Sequence, residues 1–175
     1  MQDRVWPMRL AFVALALLIV FFQLLPLETI PRRWAAPDLL LAFTFAWVLR
    51  RPDYAPITLV ALVFLLVDLL LQRPPGLYAA LVVLGCDFLK SRAHEGGEAS
   101  FLAEWATVSI AMVFVILIFR LVLGLVVLHD PPLTLTLSQL LFTIAVYPLT
   151  VLISQSGFGV RKPTPADANA MGARL

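Results

Sequence analysis

Residues 57–76 read ITLVALVFLLVDLLLQRPPG. From Ile57 to Leu71 the stretch is apolar or nearly so except for one carboxylate, Asp68, and Gln72, Arg73, Pro74, Pro75 and Gly76 follow. The run is Leu- and Val-rich and lacks period-two alternation, so it predicts a helix in lipid rather than a strand of a membrane barrel. Pro74 and Pro75 stop that helix and Gly76 lets the chain reverse. A charge within the bilayer is costly, so Asp68 is expected to face protein.

The rest of the chain has the same character. Of its 175 residues, 61% are hydrophobic and only 14% charged, against about a quarter charged in soluble domains. That composition predicts an integral membrane protein. The formal net charge of +2 is too small to suggest nucleic acid, and no basic run is interleaved with aromatics. Cys86 stands alone, so an intramolecular disulfide is excluded, and the thiol is expected to pack in an apolar helix.

Six apolar segments are predicted, at about 10–27, 37–49, 54–71, 76–89, 101–128 and 133–153, forming one all-α transmembrane domain. Residues 154–175, rich in Gly, Pro, Ala and charge, predict a flexible cytoplasmic tail. The first segment has a basic start and no small-x-small cleavage site after it, so it is expected to remain as a helix. The second and fourth segments are shorter than the ~20 residues of a straight span, and are expected to thin the bilayer while Arg50, Arg51 and Lys90 snorkel to headgroups. Trp6, Trp34, Trp47 and Trp105 lie near segment ends, as an interfacial belt would.

Loop charges set the orientation. With six spans and both termini cytoplasmic, Arg4, Arg9, Arg50, Arg51, Lys90, Arg92, Arg161, Lys162 and Arg174 lie inside, and Arg32, Arg33 and Arg73 outside. A five-span arrangement, with Pro37–Leu49 dipping in and out and the N-terminus outside, has the same bias. Six spans are preferred because a basic start favours an N-terminus inside.

Arg120 is the second charge within a span, in FVILIFRLVLGLVVL, at a depth near that of Asp68. The plainest reading is an Asp68–Arg120 pair locking two helices. The alternative is the polar lining of an outward-facing cavity or partner-docking site, and a proton relay is a weaker third. Asp87 reads as an interfacial ion pair with Lys90 or an inner loop, and Asp38 as a cap in the first turn of the second helix, with Pro37 at the first helical position. His94 and His129 fall in loops on opposite sides, so they cannot share a metal. No nucleophile triad, phosphate loop or paired-carboxylate motif is present, nor are ionisable groups expected to cluster at one depth. No cofactor and no catalysis are expected.

Four stretches in register carry a resemblance: Pro37-Asp38-Leu39-Leu40-Leu41, Arg50-Arg51-Pro52, Asp68-Leu69-Leu70-Leu71 with Pro74-Pro75-Gly76, and Asp87-Phe88-Leu89-Lys90-Ser91-Arg92. Over residues 37 to 92 the chain resembles the rod shape-determining protein MreD family; beyond them only length and hydropathy match. The resemblance implies a non-catalytic inner-membrane scaffold of the bacterial elongation complex. It would bind MreC directly and work with MreB, RodA and a class B penicillin-binding transpeptidase in lateral-wall peptidoglycan synthesis. It also implies a fold similar to the substrate-binding components of energy-coupling-factor transporters, six helices with a cavity open outward. A vitamin-binding component of such a transporter is the alternative. Asp68 and the Pro74-Pro75-Gly76 turn match the family pattern; Arg120 does not come from it.

Overall fold

The computed structural model describes residues 2–25, 34–95, 100–126 and 132–160. Within them the chain forms six helices: α1 Gln2–Leu24, α2 Leu39–Arg50, α3 Ile57–Leu70, α4 Leu77–Glu95, α5 Phe101–Val126 and α6 Leu133–Phe158. Three stretches are long and apolar enough to cross a membrane: Val5–Leu24, Phe101–Leu125 and Leu133–Phe158. The loops holding Arg32, Arg33 and His129, and the tail with Arg161, Lys162 and Arg174, lie outside the described residues, as do the side chains of Arg4 and His94.

α2 explains the uneven lengths. Leu40 to Val48 and Arg50 are buried without a break, so this helix has no lipid-facing side. It packs against α1, α4 and α6, while α4 also packs on α3 and α5, and α5 on α6. A helix apolar all round belongs in the interior. Twelve residues rise about 18 Å, and a helix enclosed by others is not obliged to match the bilayer. The expected thinning around this segment is therefore replaced by protein cover.

The outer helices show the opposite arrangement. On α1, Phe12, Ala16 and Val20 turn inward at a spacing of four, whereas Leu10, Leu17 and Phe21 face outward. Leu62, Leu66 and Leu69 of α3, and Ile110, Phe114, Leu117 and Leu121 of α5, are likewise exposed. Exposed leucines around buried Asp, Glu, Ser and Thr suit a hydrocarbon solvent, because lipid rewards an apolar outer surface and polar groups must then be satisfied within.

Local chemistry sets the helix ends. Asp38 is itself the N-cap of α2, its Oδ1 accepting from Leu41 N at 3.0 Å, so Pro37 stands just outside the helix rather than at its first position. α3 ends in a Schellman arrangement, with Arg73 N donating to Asp68 O at 2.9 Å and Gln72 N to Leu69 O at 3.3 Å. This puts Gln72 at φ 54°, where glycine is usual. α4 runs through Lys90, Ser91 and Arg92 to Glu95, past the expected end at residue 89. α6 continues beyond Ile153 to Phe158, and Gly159 at φ 64° turns the fully buried Val160 back into the core.

α6 carries a polar seam against α2. Thr143, Tyr147, Thr150 and Ser154 recur at steps of four, three and four, so they share one face, and all are buried. Thr143 Oγ1 accepts from Asp38 N at 2.9 Å, Ser154 Oγ from Trp47 Nε1 at 3.1 Å, and Ser138 Oγ from Ala35 N at 3.1 Å. Trp47 is thus a core residue with 0% exposure, its ring 5.7 Å from Phe12 and 5.3 Å from Phe158, and it is not part of an interfacial belt. Trp6 and Trp34 are exposed, and Trp105 is half-buried with its N–H on Ile144 O. Cys86 is buried in the packing of α4.

Candidate functional site: a polar cavity at one end of the bundle

At the N-terminal end of α2 the helices part around a cavity of about 380 Å³. Its wall takes Asp38 from the start of α2, Gln72, Arg73 and Pro74 from the α3–α4 turn, Tyr78 from the first turn of α4, Ile116, Phe119, Arg120 and Leu123 from α5, and Thr136 and Gln139 from α6. Sequence segments 100 residues apart meet here because α2, α4 and α6 begin where α3 and α5 approach their ends.

Tyr78 ties the wall together. Its hydroxyl donates to Asp38 Oδ2 at 2.6 Å, joining α4 to the cap of α2. Its ring lies 5.0 Å from Phe119 and 5.9 Å from Phe64. The Arg73 guanidinium sits 4.9 Å from the Tyr78 ring centre and 5.8 Å from that of Phe119, a double cation–π contact. Arg120 Nη1 donates to Thr136 Oγ1 at 2.8 Å and so bridges α5 to α6.

Asp68 has a different partner from the expected one. Its Oδ2 accepts from Gly76 N at 3.1 Å and Ala79 N at 3.2 Å, capping the N-terminus of α4. The reason is topological. α3 packs on α4, and α4 on α5, so the nearest donors to the end of α3 are the amides of the helix that follows it. Gly76, at φ 85°, presents its N–H to that carboxylate and has the conformation glycine tolerates best. Oδ1 of Asp68 is buried without a hydrogen-bond partner among the described residues, and the charge that acts on Asp68 is that of Arg73. The Asp68–Arg120 pair is thus not formed. Pro75 is exposed at the tip of the turn, and Asp87 is exposed on α4.

Of the residues singled out from sequence, Gln72, Arg73, Pro74 and Arg120 line the cavity together, and Asp38 joins them although its capping role alone was expected. Asp68 and Gly76 build the turn behind it. Ionisable groups do gather at one level, contrary to the expectation of none, because helix ends that are remote in sequence converge there.

A second cluster escaped the sequence entirely. Arg50 Nε and Nη2 lie 3.0 and 2.9 Å from Glu104 Oε1, and Tyr147 OH donates to the same oxygen at 3.0 Å. The two charged side chains are 5% and 2% exposed, so Arg50 does not snorkel to headgroups. Arg50 closes α2 while Glu104 opens α5, which places this cluster about one α2 length from the cavity. The available signal was a lone carboxylate, Glu104, at the start of an apolar run. Among the described residues, no three of His, Cys, Asp and Glu lie together as metal ligands would.

Comparison with known proteins gives no match: no family model, no curated protein and no solved structure is similar to the chain at a significant level. The functional reading therefore rests on the residues and their geometry.

Proposed function

We propose that this chain is a non-catalytic scaffold of the bacterial inner membrane, built on six spans with both termini cytoplasmic. In this reading it serves the rod elongation complex in the manner of the MreD family. It binds MreC directly and works beside MreB, RodA and a class B penicillin-binding transpeptidase to organise lateral-wall peptidoglycan synthesis. The fold in this reading is similar to the substrate-binding component of energy-coupling-factor transporters, with the cavity facing outward.

One observation carries the reading. Two of the four stretches that resemble the family meet beside the cavity: Asp38 accepts from Tyr78, two residues past the Pro74-Pro75-Gly76 turn, at 2.6 Å, and Asp68 holds Gly76 of that turn at 3.1 Å. Motifs thirty residues apart thus build one structural unit beside the cavity. Affinity purification from a native rod-shaped host should recover MreC, and depletion should round the cells and disperse lateral-wall incorporation. Unchanged shape and incorporation after depletion would rule the reading out.

The cavity volume favours one second reading. About 380 Å³ falls in the range of small-molecule sites, so a vitamin-binding transport component remains the alternative. A stoichiometric small molecule co-purifying with the protein, with MreC absent, would select it.

A further inference from the structure

Arg73 is held by aromatic faces rather than by an ion pair. Its guanidinium lies against two aromatic faces, and among the described residues it forms no side-chain hydrogen bond or ion pair. Aromatic rings attract the charge but do not use up the N–H donors of a guanidinium. The nearby carboxylates are directed mainly at other donors. Asp38 accepts from Leu41 N and from the Tyr78 hydroxyl, and Asp68 accepts from Gly76 N and Ala79 N while offsetting part of the Arg73 charge. Both therefore sit on the positive ends of helices, α2 and α4, which compensate them. Arg120 lies on the same cavity wall, fixed by Thr136.

We propose that this cavity binds an oxyanion, a phosphate or carboxylate group, through Arg73 and Arg120. Paired guanidiniums are the donors best matched to such groups, because each offers two parallel N–H bonds. Arg73, which forms no ion pair among the described residues, also gains more from a counter-charge in a partly enclosed cavity than it would in water. Phe119, Ile116 and Leu123 on the same wall suit the apolar body of the molecule that carries the anion. That molecule is either a lipid, entering by its headgroup, or a soluble anion. This proposal concerns the cavity alone and holds whichever protein partner the bundle has.

The test uses the full-length chain, delipidated in a nonionic maltoside detergent, and two probes: inorganic phosphate, and phosphatidylglycerol mixed into the micelles. Thermal unfolding is followed with sodium chloride at equal ionic strength as the control for screening. Phosphatidylglycerol alone raising the midpoint identifies a lipid headgroup site, whereas phosphate alone raising it identifies a soluble-anion site. In Arg73→Gln and Arg120→Gln the apparent affinity should fall about tenfold or more, the effect of losing a charge-assisted bond. No shift with either probe, or the same shift in both variants as in the parent, overturns the proposal. Should the variants fail to fold, phenylglyoxal modification of the parent chain decides. The bound probe should protect Arg73 and Arg120 while exposed Arg92 continues to react, and equal reaction at all three overturns the site.

Discussion

Asp68 accepts two backbone amides with one oxygen, and that division of labour predicts how it responds to substitution. Asp68→Asn keeps a carbonyl acceptor for Gly76 N and Ala79 N and should fold nearly as well as the parent, whereas Asp68→Leu should lose about 1 kcal/mol or more of stability, the usual value of a cap. The exchange Asp68→Arg with Arg120→Asp should recover nothing relative to the single changes, since the two residues do not pair; recovery in a thermal unfolding assay would restore the ion-pair reading. The buried Arg50–Glu104 pair behaves otherwise. Glu104→Gln or Arg50→Leu alone leaves one member of the pair without the other inside the protein and should cost about 3–5 kcal/mol, visible as lost monodisperse yield. Changing both to apolar residues should cost less than either single change. Sequence located Asp68 as a residue that must face protein but gave it the wrong partner, because a helix-capping amide leaves no mark in composition. Glu104 went unnoticed since one carboxylate at a segment start reads as interfacial.

Helix ends and close approaches hold the next set of consequences. A Cβ on Gly85 would lie 2.8 Å from Phe45 Cζ and 3.3 Å from Val115 Cγ2, so this glycine is where α4 passes between α2 and α5. Gly85→Val should overpack that crossing and cost about 1–3 kcal/mol, with Gly85→Ala milder because the Phe45 ring edge can shift. Gln72→Gly removes a left-handed side-chain penalty and should raise stability by about 1 kcal/mol, measured as a higher unfolding midpoint; no rise would mean that the Gln72 side chain supplies a compensating contact at the cavity. All six helices were legible as apolar segments, most within a few residues of their ends. Legibility failed where helices run on for reasons other than hydropathy. α4 passes through Lys90 and Arg92 because helix propensity tolerates both, and α6 continues to Phe158 because Ser154 meets Trp47.

At the scale of the molecule, the proposed orientation makes a prediction that needs no partner. Cys86 is buried, so the parent chain already serves as a background without reactive thiols. Cysteine placed at exposed Gln72 should react with a membrane-impermeant maleimide added to intact spheroplasts, while cysteine at exposed Arg92 should react only after lysis. Labelling of both from one side would refute six spans with cytoplasmic termini. The membrane class was readable because 61% hydrophobic residues leave few other solutions. The way the helices surround α2 was not readable, since the residues that secure it, Ser138, Thr143 and Ser154, lie about a hundred positions further along the chain.

That separation orders the birth of the protein. A twelve-residue helix is too short to settle across a bilayer by itself, and its three hydroxyl partners are the last to be synthesised. During translation α2 must therefore wait, shielded by the insertion machinery or by its earlier neighbours, until α6 emerges to claim it. A chain stopped at residue 126 should be cleared by membrane proteases, and α6 supplied as a separate peptide should rescue it. That outcome would place quality control of the bundle in α6.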